Sequence, residues 1–265
     1  MATTETALIN GPAGKIELII DAPERVRGIA LVCHPHPLFH GANTNKVAHT
    51  LARIFRDLGY AALRPNFRGV GKSEGTHDHG VAETDDMLAV ISWAQSRWGG
   101  LPLALGGFSF GGYVQTRVAA RLAESLTPAE RIVLVGTAAG EVSGARSYPT
   151  LPVPDHSLVI HGEKDETVAL DNVLAWAEPM DLPVVVVKVG GFDLMQALAR
   201  AKPLKAFIAH YQTIEGDAKY LLSKHGLTLD EALFLPVLHK QEWVAVLDKS
   251  AHVLGFLPGD GFEVQ

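Results

Sequence analysis

Gly107-x-Ser109-x-Gly111 lies inside GGFSFGG (106–112), between a segment that reads as a strand and one that reads as a helix. In that setting the pattern marks a sharp strand-to-helix turn that pushes the serine hydroxyl out over the sheet edge. Glycines flank it because neighbouring side chains would collide there. The helix opening after the turn aims its first amides at the same point, so the N–H of Phe110 is the natural first donor to an oxyanion. The chemistry is attack by Ser109 on a carbonyl; the competing reading is a purely structural glycine turn. A carboxylate for that chemistry stands in HGEKDETV (161–168), after the strand-like SLVI. Asp165 there is placed to orient an imidazole and hold its tautomer, and the order Ser109 then Asp165 leaves the imidazole to be sought later in the chain. Glu163 is the fallback acid, and the alternative role for Asp165 is to cap its own loop.

CHPHPLFHGANTNK (33–46) follows a strong apolar strand, where a fold that displays its serine this way places the other oxyanion amide. By position that donor is the backbone N–H of Leu38, in a loop stiffened by Pro35 and Pro37. A metal reading competes, because His34 and His36 are two apart in extended chain and His40, His77, Asp78 and His79 could join them. The intervening prolines and the lack of fourth-ligand spacing favour a structural loop, so no metal is assigned. NFRGVGKSEGTHDHG (66–80) is glycine-rich but lacks the strand-GxxxxGK[ST]-helix layout of a phosphate cradle. No organic cofactor is implied.

The elements that must position these residues alternate along the chain. KIELII (15–20), RGIALVCHP (27–35), YAALRPN (60–66), LPLALGGFS (101–109), RIVLVGTAAG (131–140), HSLVIHGEKD (156–165) and LPVVVVKVGG (182–191) read as strands. Helical patterns fall at 46–59, 83–97 and 113–125, with a further one in DNVLAWAEPM, and Gly59 stands where the first should stop. Strands alternating with helices imply β-α-β units, hence an α/β fold with a doubly wound, mostly parallel sheet in residues 1–191. From about Phe192 the rhythm breaks. Residues 192–234 read as helical segments punctuated by Pro203, Gly216 and Gly226, and EWVAVLDKSAHVLGFLP as a β-hairpin turning near Asp248–Ser250. Residues 192–265 are thus a small α+β appendage, whose apolar helical spacing speaks for packing.

A net charge of −6 argues against general affinity for nucleic acid or anionic membrane. No apolar stretch approaches the roughly 18 residues of a membrane helix, and the first residues carry no signal-like pattern, so a cytoplasmic protein acting on a small molecule is expected. Oligomeric state is not legible. The lone Cys33 excludes an internal disulfide and reads as a buried strand residue.

Together CHPHPLFHG, NKV, RPNFRGVGKSEG, HDHG…E-x-DD, GFSFGG and HGEKDETV resemble the small, lid-poor α/β-hydrolases related to dienelactone hydrolases. The likeness spans roughly residues 10–187, with six motifs in the family's order. The resemblance implies a Ser-Asp-His triad with Ser109 and Asp165 on matching positions, and a histidine immediately after the VVVV strand. This chain departs there, with Gly190, Gly191 and Phe192 in that place.

Three accounts of the base follow. In one, a histidine of the appendage folds back over the sheet edge; His252 in SAHVLGF is the best placed, ahead of His210, His225 and His239. In another the base is missing, and the oxyanion hole and substrate binding leave a residual acceleration of about 10³–10⁴ over water. In the third, an exchanged C-terminal ending leaves a pseudo-enzyme or binding module that keeps the pocket. The function expected is hydrolysis of a small carboxylic ester or thioester through an acyl-enzyme on Ser109.

Overall fold

Residues 2–143, 146–190, 232–237, 240–248 and 253–258 are described by the structure, a computed structural model. In chain order the elements are β1 (Thr3–Gly11), β2 (Gly14–Ala22), β3 (Gly28–Cys33), α1 (Lys46–Asp57), β4 (Tyr60–Pro65), α2 (Val81–Trp98), β5 (Leu103–Phe108) and α3 (Phe110–Glu124). Then come β6 (Arg131–Val135), β7 (Gly140–Val142), β8 (Arg146–Tyr148), β9 (Leu158–Lys164), α4 (Leu170–Ala177), β10 (Val184–Gly190), β11 (Ala232–Val237), β12 (Lys240–Asp248) and β13 (Val253–Pro258).

The main sheet has eight strands in the order β1-β2-β4-β3-β5-β6-β9-β10. β1 and β2 pair antiparallel with each other, β2 pairs antiparallel with β4, and every pairing from β4 to β10 is parallel. Both faces are covered, which is why β3 (GIALVC) and β4 (YAALRP) are buried at every position. Period-2 alternation divides β3 between two cores. Ile29, Leu31 and Cys33 pack with Met87 and Val90 of α2 and Val114 and Val118 of α3. Ala30 and Val32 pack with Val47, Leu51 and Phe55 of α1. Asn45 caps α1, its Oδ1 accepting the N–H of Val47 at 2.9 Å, and Gly59, at φ 94°, follows its end.

After β3 the chain steps to β4 on one side, then crosses back to β5 on the other. The crevice beyond the carboxyl ends of β3 and β5 is therefore the switch point at which α/β sheets carry their sites. The loop of residues 34–39 and the serine turn both leave the sheet there.

Three departures from the sequence reading have physical causes. β1 was not anticipated: it is an edge strand whose Thr-rich face is exposed, so it lacks a continuous apolar signal, and its anchor is Ile9 opposite Ile16. α3 starts at Phe110, three residues before the apolar pattern shows it, because glycines 111 and 112 form its first turn. In the C-terminal segment 232–234 is strand rather than helix, since β11 pairs antiparallel with β12. The β12–β13 hairpin is present as expected. Helical readings between 191 and 231 lie outside the described residues.

Candidate active site

β5 ends in two glycines and a phenylalanine, and the chain then reverses into α3 through Ser109 at φ 55°, ψ −118°. This region suits glycine, so the surroundings must hold the serine there. They do so by three backbone bonds. Ser109 N–H donates to Val135 O at 2.9 Å, and its carbonyl accepts from Tyr113 and Ala138, both at 3.2 Å. The flanking glycines are required by contact. A Cβ on Gly107 would lie 2.6 Å from the backbone of Gly111 and Gly112. One on Gly111 would lie 2.5 Å from the carbonyl oxygens of both Cys33 and His34, and one on Gly112 2.6 Å from Thr137 Oγ1. Below the turn, Gln115 Nε2 donates to Leu31 O at 2.9 Å and Gly106 O at 3.0 Å, pinning α3 across β3 and β5. Ser109 itself remains partly exposed. As the first helical residue, Phe110 has no intrahelical acceptor for its N–H, which leaves that amide available to a ligand.

Close approach at Gly111 places the start of the 34–39 loop against α3. His34 is fully buried; its Nε2 accepts the Phe67 N–H at 3.0 Å, so its proton is on Nδ1, which donates to Pro35 O at 2.6 Å. Burial pushes its pKa down to about 4. Both nitrogens being committed, His34 is a neutral structural brace and neither a base nor a metal ligand. Pro37–Phe39 forms a 3-10 turn capped by His36, whose Nδ1 accepts the Leu38 N–H at 3.2 Å. The proposed second oxyanion donor is thus held by the His36 ring. That ring is itself pushed down to about 4 by burial, then by His77, Arg146 and His79.

His36 belongs to an aromatic wall on Phe110. Its centroid is 4.8 Å from Phe110 and 4.8 Å from His77, and His77 lies 4.9 Å from His79. The His77 side chain is 8% exposed; its Nδ1 stands 2.9 Å from Glu83 Oε1, off the direction a hydrogen bond needs. Glu83 is buried because it caps α2, accepting the N–H of Asp78 and of Gly80, both at 2.8 Å. Leu38 and Phe39 stand at the rim, 67% and 59% exposed, with the Arg146 guanidinium 4.3 Å from the Phe39 ring centroid. The 66–75 loop, read above as no phosphate cradle, is knitted to β2. Glu17 Oε2 accepts from Asn66 Nδ2 and Lys72 N, both at 2.9 Å.

Asp165 directly follows β9, two strands from β5. Its Oδ1 accepts the N–H of Thr167 at 2.9 Å and of Val168 at 3.0 Å. Its Oδ2 faces the end of β6, where a Cβ on Gly136 would lie 3.7 Å away. So the loop-cap role is real, and it uses one oxygen. Glu163 is exposed on β9. His161, four residues before Asp165 and not singled out by the sequence reading, is fully buried, with Nε2 2.9 Å from Val168 O. The signal for it was present: a histidine in LVIHG, a run that is otherwise apolar and buried throughout.

None of these described histidines is bonded to the Ser109 hydroxyl. The proposed base His252, with His210, His225 and His239, lies outside the described residues. Cys33 is buried as expected, its Sγ 3.4 Å from Met87 Sδ, and desolvation pushes its pKa up. No described helix is long and apolar enough to cross a membrane.

Comparison with known proteins gives concordant matches. The family model for X-Pro dipeptidyl-peptidase (S15 family) matches residues 20–135. An α/β serine hydrolase homologue from Coxiella burnetii superposes with a TM-score of 0.62 at 34% identity, covering 76% of this chain and 98% of that one. An α/β serine hydrolase without lid from Xanthomonas campestris gives 0.63 at 33%, covering 74% and 91%. The chicken (Gallus gallus) lysophosphatidylserine lipase ABHD12 is 35% identical over 121 residues, 44% of this chain and 31% of that protein, so the chain spans about a third of that lipase.

Proposed function

The chain belongs to the α/β serine hydrolase family, and on that premise we propose that it cleaves a small carboxylic ester or thioester through an acyl-enzyme on Ser109. The observation carrying this is the strained serine at φ 55°, held by Val135, Tyr113 and Ala138 at the switch point of the sheet. Ser109 Oγ attacks the substrate carbonyl as a base removes its proton, and the carbonyl oxygen becomes an oxyanion. The Phe110 N–H stabilises it, joined by the Leu38 N–H once that amide turns from His36 Nδ1 to the substrate. Collapse of the intermediate expels the alcohol or thiol, which takes the proton back from the base. Water then repeats the sequence on the acyl-enzyme, releasing the acid and restoring Ser109. Asp165 Oδ2, the carboxylate oxygen without a described partner, orients the imidazole.

Among the described residues the short β7–β8 hairpin is the only regular structure between β6 and β9, and the Xanthomonas relative is lidless, which supports an open site. Leu38 and Phe39 at its rim suit a short apolar acyl group. We assign residues 1–191 as the hydrolase domain and 192–265 as an appendage, with His252 as the candidate base. A second reading, a binding protein that keeps the pocket without turnover, is favoured by Gly190, Gly191 and Phe192 standing where the family's histidine is expected.

Hydrolysis of p-nitrophenyl acetate and butyrate by wild type, Ser109→Ala and His252→Ala separates these. Turnover abolished in Ser109→Ala and reduced by orders of magnitude in His252→Ala supports the full assignment. Wild type indistinguishable from Ser109→Ala, with no fluorophosphonate labelling of Ser109, supports the binding protein.

A further inference from the structure

We propose that His161 is a positioning residue for Asp165, acting through both backbone groups of Val168. A carbonyl can only accept, so His161 Nε2 carries the proton and donates to Val168 O at 2.9 Å. The N–H of the same residue donates to Asp165 Oδ1 at 3.0 Å. Val168 is itself buried, at 2% exposure, and is clamped between the imidazole and the carboxylate. The relay leaves Oδ2 as the oxygen of Asp165 without a described partner, on the side of β6 and β5.

His161 is fully buried in β9, and among the described residues its Nδ1 has no hydrogen-bond partner. An unpaired buried acceptor carries a penalty that a leucine in this strand would avoid. Retaining it is explained by the donor on the opposite side of the ring. Burial lowers its pKa, against the opposing pull of the Val168 carbonyl and Asp165, so the ring stays in the neutral Nε2–H form that the relay needs. Protonation would add a second donor at Nδ1, for which no described residue supplies an acceptor.

This inference rests on the assignment of Asp165 as the triad acid, and a double-mutant cycle separates the two. Turnover of p-nitrophenyl butyrate is measured for wild type, His161→Leu, His161→Gln, Asp165→Asn and the double variant His161→Leu/Asp165→Asn. Thermal unfolding identifies any variant that does not fold. A catalytic group misplaced by about 1 Å costs up to about a hundredfold. His161→Leu is therefore expected to lower kcat tenfold to a hundredfold with KM nearly unchanged, while the glutamine amide, which can still donate to Val168 O, recovers most of the loss. In the Asp165→Asn background His161→Leu is expected to cost less than twofold, because there is no carboxylate left to place. An equal loss in both backgrounds, or none in either, overturns the positioning role and leaves the acid intact. Full activity of Asp165→Asn overturns the acid and this inference together. A tautomer readout needs no turnover: imidazole ¹⁵N shifts should show His161 neutral with the proton on Nε2, and a proton on Nδ1 contradicts the relay.

Discussion

Replacing Ser109 by glycine should make the protein more stable than replacing it by alanine. Both variants lack the hydroxyl, so every contribution of Oγ cancels between them and the backbone is what differs. At φ 55°, ψ −118° a residue with a Cβ carries strain of about 1–3 kcal/mol. Alanine retains that strain and glycine relieves it. Against this, glycine has more freedom to lose on folding, about 0.5–1 kcal/mol relative to alanine. The difference is a net gain of about 0–2.5 kcal/mol, centred near 1 kcal/mol, for Ser109→Gly over Ser109→Ala, or up to roughly 10 °C in Tm for a chain of this size. Urea unfolding followed by tryptophan fluorescence, with thermal unfolding in parallel, reads both quantities. A glycine variant less stable than the alanine variant would show that the strain falls below the roughly 1 kcal/mol that glycine's extra freedom costs. The reason for reading Ser109 as a nucleophile held in place at a cost would then fall with it.

Three further outcomes follow from the geometry. His34 has a folded pKa near 4 against 6.5 unfolded, so the unfolded chain binds the extra proton between those values. Stability is therefore fully present above pH 6.5 and lost as pH falls to 4, by roughly 3 kcal/mol from this residue. Urea unfolding of wild type and His34→Gln at pH 7 and pH 4.5 should show a shallower pH dependence in the variant; matching dependences would refute the assignment. Gly111→Ala drives a Cβ to 2.5 Å from the carbonyl oxygens of Cys33, which is paired with β5, and of His34, and should cost about 3 kcal/mol or more. Gly106→Ala, whose Cβ meets the edge of the Phe55 ring at 3.1 Å and no backbone atom, is the milder comparison, and equal Tm losses would contradict this account. Cys33, fully buried beside Met87 and Gln115 with its pKa raised, should resist a thiol reagent such as DTNB in the native protein and react once in urea. Prompt native labelling would place it elsewhere.

The sequence carried most of the serine turn, because the constraints there are local. A strand must end, a helix must begin and no side chain fits between, so Gly107, Ser109 and Gly111 report the turn without any knowledge of partners. Asp165 was legible by position, at the end of a strand late in the series. What stayed hidden depends on contacts between segments. The Leu38 amide looked free in the sequence, and only the fold shows the His36 ring accepting it. His161 looked like one more residue of a motif until Val168, seven positions on, was seen to bond both it and Asp165. β1 is hidden by its edge position, which asks for only one anchoring side chain where it meets Ile16. β11 was misread because DEALF contains good helix formers, and its pairing with β12 overrides local preference.

The described contacts that shape the serine turn come from residues Leu31 to Ala138: the carbonyls under Gly111, the Gln115 brace, the Val135 acceptor and the Thr137 wall. This stretch is a self-sufficient mould. On the proposed assignment, the nucleophile and the group that activates it can therefore be inherited on separate schedules, the first fixed by packing and the second free to migrate along the chain, provided it returns to Asp165. In such a lineage the descendants would share an unchanged serine turn while differing in where their proton carrier is encoded, and a sequence comparison anchored on the final histidine would divide relatives that the mould unites.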